Sequence, residues 1–377
     1  MFKVLNDYCQ LEIIELLNLT AQMALYEAYE DDSDDPNRIH INLISTWGQQ
    51  TRIELTSRNC ETLKNNRALL NTFMSSLSVK VEEMELQGVP MEFLRICENF
   101  CLPSVQILSC TLDDSRSRVE AQRIMTNIFP GVRCMKPDFA ICYCSMSKWT
   151  QFRKLIVVHP YFERHSYHFC FLGQLPSIEE FVAPDVYIIN HSFQGFMHLP
   201  NLRTITIRVS DEYGNRNEPL YDPLITLRYI DQYGGTEGNT DNIRSLMLDG
   251  VWCIHYDLCN EVRSFRNLVR LDLDHKSCSS EIRLWEIVAH RPSLKFLEIT
   301  RMDLGCNFFS LNRYLMNITM YNRHAPLTVI YANIGENEGL IRRHFTHPQL
   351  QLISGHKNPK NVLGPIIKLE LIPIYDS

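Results

Sequence analysis

Along most of the chain one spacing recurs: an apolar residue, two intervening positions, a second apolar residue, one position, and a third. It reads Val81-Met84-Leu86, Val105-Leu108-Cys110, Phe152-Leu155-Val157 and Ile178-Phe181-Ala183. It continues as Leu202-Ile205-Ile207, Ile243-Leu246-Leu248, Leu268-Leu271-Leu273 and Leu294-Leu297-Ile299. Weaker copies are Val132-Met135, Leu327-Ile330-Ala332 and Leu350-Ile353-Gly355, with an opening copy at Gln50-Ile53-Leu55. The last two apolar residues of a copy are two apart, so a short strand places them on one face. The intervening stretches carry helical spacing, as in Ile282, Trp285, Ile287 and Val288. Prolines 103, 130, 176, 200, 292, 326 and 348 stand just ahead of copies. A proline offers no N–H to a ladder and turns the residue before it away from helix, which suits the entrance of a strand.

One strand-plus-helix unit cannot bury its own ridge, but stacked units can. The pattern therefore predicts an α/β solenoid over residues 50–377, with a parallel sheet on one side and helices on the other. An ordinary α/β sheet of alternating strands and helices is the alternative. The step from Leu202 to Ile243 is long, about 40 residues, and marks an insertion at 211–242. Inserted loops either carry recognition or are tolerated surface excursions.

The first 29 residues follow a different pattern. Leu11, Ile14 and Leu17 recur at helical spacing, and a second helix with Met23, Leu25 and Ala28 follows Asn18-Leu19-Thr20, with Thr20 as its cap. Residues 30–49 read as an acidic linker, Glu30-Asp31-Asp32-Ser33-Asp34-Asp35-Pro36, and the entry to the array.

Within each strand, the residues between the buried positions face the second side of the sheet. In the C-terminal half these are Met247, Asp249, Arg270, Asp272, Asp274, Phe296, Glu298, Val329 and Tyr331. The acids form a stripe with Met247, Phe296 and Tyr331 beside it. That combination suits the docking of a basic or mixed-charge protein segment, and equally suits a sheet kept soluble by charge.

Composition narrows the function classes. A net charge of −7 without clustered Lys and Arg argues against nucleic acid and anionic membrane surfaces. No apolar run reaches the length of a membrane span. Asp7, Glu12 and Glu15 interrupt the first 25 residues, unlike a signal peptide. With 13 cysteines, an odd number, reduced thiols in a cytoplasmic or nuclear setting are expected. Cys142-x-Cys144 and Cys97-x-x-x-Cys101 lack the paired spacing of a zinc site. His159, His165 and His168 invite a hydrolase reading but come without a nucleophile elbow or oxyanion motif. Gly234-Gly235 and Gly238 lack a phosphate-loop lysine. No cofactor and no enzymatic activity are expected.

Three copies extend further: Leu294-x-x-Leu297-x-Ile299-x-x-Met302-x-Leu304, Ile243 through Val251 and Cys253, and Val81 through Val89 and Met91. On this motif, its step and its prolines, residues 50–356 resemble the leucine-rich-repeat family. Residues 1–29 resemble a degenerate F-box, with Leu5, Asp7, Leu11, Ile14, Leu17 and Leu25 in matching places. Asn6 stands where that family favours proline, and Trp47 falls beyond the acidic run. The resemblance implies that Leu5, Leu11, Ile14, Leu17 and Leu25 bind a Skp-type adaptor. The chain would then be the substrate-recognition subunit of an SCF-type cullin–RING ubiquitin ligase and hold an unidentified target on its repeats. The alternative is an interaction scaffold whose N-terminal helices only cap the array.

Overall fold

The computed structural model describes residues 5–29, 36–77, 79–113, 118–138, 146–157, 177–184, 199–209, 242–249, 258, 262, 265–274, 281–302, 306–332, 338–355 and 366–372. They divide into two compact units, residues 1–177 and 178–377. Among the described residues no helix is long and apolar enough to cross a membrane.

Unit 1 opens with three helices, α1 (Asp7–Leu16), α2 (Leu19–Ala28) and α3 (Pro36–Gln49). Asparagine starts the first two: the Asn6 and Asn18 carboxamides accept from the N–H groups of Cys9 and Ala21 at 2.9 Å. Asn18, not Thr20, therefore caps α2. The segment expected as an entry linker is largely α3, and it lies along α1. Asn42 donates to Gln10 at 2.9 Å, and Arg38 pairs with Asp7. Its apolar residues Ile39, Leu43 and Trp47 are buried at intervals of four. The acidic run itself, residues 30–35, lies outside the described residues.

Five strands follow: β1 (Arg52–Thr56), β2 (Glu83–Val89), β3 (Ile107–Leu112), β4 (Cys134–Pro137) and β5 (Lys154–Ile156). Helices α4 (Ser57–Asn65) and α5 (Arg67–Ser76) separate the first two, α6 (Met91–Cys97) lies between β2 and β3, and α7 (Arg118–Ile128) lies between β3 and β4. The strands pair in parallel in sequence order. Their registers align Ile53, Met84, Leu108, Met135 and Leu155 in one row, and every member is buried. These are the positions the spacing assigned to the core.

A backbone hook repeats with the strands. The N–H groups of Gln106 and Ile107 both donate to the Glu82 carbonyl, those of Arg133 and Cys134 to Gln106, and those of Arg153 and Lys154 to Arg133. Pro103 and Pro130 sit just upstream of the first two of these entrances. At one of them the chain comes so close that a Cβ on Gly131 would lie 2.0 Å from the Pro103 carbonyl oxygen, so only glycine fits there.

Unit 2 contains β6 (Glu180–Pro184), β7 (Thr204–Arg208), β8 (Ile243–Asp249), β9 (Arg270–Asp274), β10 (Phe296–Arg301), β11 (Leu327–Ala332), β12 (Leu350–Gly355) and β13 (Ile366–Leu371). Helices α8 (Glu281–His290), α9 (Cys306–Tyr321) and α10 (Glu338–His344) precede β10, β11 and β12. The same hook recurs here: Arg203 and Thr204 donate to Glu179, and Lys295 and Phe296 donate to Val269.

Two features depart from the expected parallel row. First, β13 lies antiparallel between β7 and β8, where the long step had marked an insertion. It carries no copy of the repeat, but its alternation suits the place. Ile367 and Leu369 are fully buried, while Lys368 and Glu370 turn to the other face. Ile367 falls between Ile207 and Leu248, and Leu369 between Ile205 and Leu246. Second, the copies in β11 and β12 are out of register by one. Leu297 pairs with Val329 and Ile299 with Tyr331, while Val329 pairs with Leu352. Val329, Ile330 and Tyr331 are consecutive apolar residues, so spacing alone fits either alternation, and pairing with β10 decides it.

Candidate functional site

The second face of unit 2 gathers most of the residues predicted to bind a target. One row runs Thr206, Lys368, Met247, Asp272, Glu298, Ile330 and Ile353 across β7, β13, β8, β9, β10, β11 and β12. A neighbouring row holds Thr204, Glu370, Ser245, Arg270, Phe296 and Thr328. Phe296 is exposed, and Met247 is half-buried. Tyr331 does not belong to this face. It sits in the core row beside Ile299 and is buried, which corrects its place in the stripe. Lys368 and Glu370 join the face from β13. Sequence spacing could not place them, because nothing local says which strands β13 enters.

The acids are not a solvated stripe. Asp249, Asp272, Asp274 and Glu298 are all buried. A break in register between Glu298 and Arg301 returns the Arg301 side chain toward β8 and β9. Its guanidinium holds Asp249 at 2.6 Å and Asp272 at 2.7 Å, a fork between two carboxylates. Glu298 pairs with Arg270 and accepts from the Thr300 hydroxyl at 3.2 Å. Burial pushes the Asp272 carboxyl up to about 6, against the opposing pull of Arg301. The cluster is thus a buried, paired network rather than a free acidic surface.

The Asp272 shift has a stability consequence with a definite sign. An unfolded carboxylate titrates near ~3.9. Between there and about 6 the folded protein keeps the Asp272 proton and the unfolded chain gives it up. Stability from this group is therefore full at low pH and lost as pH rises through that window. Asp272→Asn leaves the Arg301–Asp249 contact in place. It is expected to remove up to about 2 kcal/mol of pH dependence between pH 4 and pH 7. Urea titrations of both proteins across that range measure it, and parallel pH profiles would contradict it.

The residues assigned to adaptor binding are placed unevenly. Ile14 is fully buried, and Leu5, Leu11, Leu17 and Leu25 are half-buried. Gln22 explains this: its carboxamide donates to the Ile14 and Leu17 carbonyls at 2.9 and 3.0 Å, folding α2 against the end of α1. The Trp47 indole in turn donates to Gln22 at 2.8 Å and meets Phe73 edge-on at 5.2 Å. The apolar residues left in solvent are others. Leu16 is 87% exposed, and Tyr8, Ile13, Ile41 and Ile44 are exposed with it. Tyr8 and Leu16 lie two turns apart on α1, and Ile41 and Ile44 lie one turn apart on α3. The family resemblance, not the spacing, singled out Ile14 over Leu16, and α3, which packs along α1, falls in the segment expected as linker.

The discounted constellations give little further. Cys142, Cys144, His159, His165, His168 and most of the insertion at 211–242 lie outside the described residues. Among the described residues, no three His, Cys, Asp or Glu side chains are grouped to hold a metal. The Cys97 and Cys60 thiols are pushed up to about 12 by burial, which leaves them protonated and inert at neutral pH.

Fold and site together define a mixed α/β protein of mostly parallel strands, opened by a three-helix module. No known family model matches the chain, and no curated protein matches its sequence.

Proposed function

We propose that this protein is a non-catalytic recognition subunit: an F-box-like N-terminal module that docks a Skp-type adaptor of a cullin–RING ubiquitin ligase, followed by a leucine-rich-repeat array that holds the target. The observation that carries the reading is the exposed apolar set Tyr8, Leu16, Ile41 and Ile44 on α1 and α3. Large apolar side chains left in water on a helical module fit helix-mediated docking to a partner. The repeated strand registers and entry hooks support the array half of the reading. In such an assembly the chain performs no chemistry. It raises the concentration of target beside the conjugating enzyme.

A scaffold reading has its own support. Asn59 of α4 donates to Thr20 at 2.9 Å, and Tyr26 and Trp47 pack toward Thr72 and Phe73 of α5, so the N-terminal helices also close the first repeat. Co-purification separates the two. A Skp-type adaptor is expected to co-purify with the full chain, and Leu16→Asp with Ile41→Asp is expected to lower its recovery about tenfold or more. Both side chains are exposed, so the thermal unfolding of the variant should match the parent. Absence of adaptor from the parent, or equal recovery with the variant, would leave the scaffold reading standing.

A further inference from the structure

The sheet of unit 2 ends on β12, and among the described residues no strand pairs with its outer edge. An edge strand presents a row of backbone donors and acceptors, and natural sheets guard it with charge, proline or a bulge. β12 has none of these. It reads Leu-Gln-Leu-Ile-Ser-Gly, and its register with β11 is unbroken. Ile353 on it is exposed.

The core beneath this edge is open as well. Along the core row Leu271, Leu297 and Val329 are buried, yet Leu352, the next member, is only half-buried, as is Leu350. Leu350, Leu352, Phe345 and Pro348 line a shallow groove whose rim carries Arg342 and His347. Phe345 is buried and stacks on Trp285 at 5.8 Å, which fixes the floor. The next strand in sequence, β13, does not cover this end; it runs between β7 and β8.

We propose that this end of unit 2 is a strand-docking site for an extended, acidic segment of a partner protein. The segment pairs its backbone with β12 and sets alternate apolar side chains on Leu350 and Leu352. A flanking carboxylate meets Arg342 and Arg343. Backbone bonds then supply affinity, and the alternate side chains supply selectivity. The rim selects the partner's charge. Arg342 and Arg343 are both exposed; Arg342 bonds Glu338 at 2.9 Å and also the Tyr331 hydroxyl. With Arg342 paired to Glu338, the exposed Arg343 beside it leaves this rim with a net positive charge. A second copy of the chain would bring two positive rims into one interface, whereas an acidic strand brings opposite charge. The surface is distinct from the N-terminal helices, so the inference stands apart from adaptor binding.

The test uses two fluorescent peptides of alternating valine and threonine, one opening with glutamates and the other with lysines, titrated into the full chain. The acidic peptide is expected to bind saturably and to slow amide hydrogen exchange across residues 350–355. The lysine peptide is expected to bind about tenfold more weakly or less. Arg342→Glu with Arg343→Glu changes exposed side chains only and is expected to invert that preference. Backbone N-methylation along one edge of the acidic peptide is expected to abolish binding. Absent binding, protection away from β12, or a preference untouched by the reversal would overturn the proposal. A concentration-dependent dimer protected at β12 would also overturn it, by giving the edge to a second copy.

Discussion

Truncating Ile367 to alanine is expected to cost unit 2 about 2–5 kcal/mol, the range for emptying a fully buried aliphatic site. Ile367 has no exposure and lies between Ile207 and Leu248. Its loss removes the transfer energy of the side chain and leaves a cavity where three strands meet. Two substitutions serve as references. Glu370→Ala on the opposite face of the same strand is expected to stay within about 0.5 kcal/mol. Ile353→Ala on the exposed edge strand is expected to cost under about 1 kcal/mol, because little is buried there. Urea unfolding of the three variants measures the differences. A small effect at Ile367, equal to that at Ile353, would mean that β13 does not hold its central place in solution.

Replacing Arg301 by methionine is expected to cost about 3–5 kcal/mol at neutral pH. The substitution keeps much of the volume and removes the cation shared by Asp249 and Asp272. Two buried carboxylates then face each other without compensation, beside Asp274 and Glu298. The deficit should shrink as pH falls toward 5, since protonating Asp272, whose carboxyl burial pushes up to about 6, relieves it. Adding Asp249→Asn and Asp272→Asn should restore most of the lost stability, because a buried ion cluster stabilises little over a neutral set of similar shape. A loss that is independent of pH and unrelieved by the paired substitutions would assign Arg301 a packing role only.

The sequence made the core rows legible wherever one apolar alternation was available. Val81-Met84-Leu86 and its kin in β3 and β5 through β10 are buried as their spacing requires. It failed where apolar residues ran consecutively, as in Val329-Ile330-Tyr331. There a one-residue slip exchanges the two faces, and only the neighbouring strand fixes the choice. It failed again at β13, whose partners are distant in sequence and whose pattern, Ile366 to Leu371, fits many sheet positions. The candidate site was half legible. Alternation placed Asp249, Asp272, Asp274 and Glu298 on one face correctly. Their burial depends on Arg301 folding back past an irregular register, which no spacing rule encodes. At the N-terminus the two helices were visible, but the acidic run hid α3 and with it the exposed pair Ile41 and Ile44.

The place of β13 also bears on how the chain reaches its folded form. β7 and β8 cannot complete their ladders until a segment roughly a hundred residues beyond β8 arrives. Closing so long a loop is slow, and both strand margins stay open meanwhile. Nascent unit 2 is therefore expected to pass through a stage in which β7 and β8 lack their β13 partner. A premature stop anywhere before residue 366 would fix the molecule in that condition.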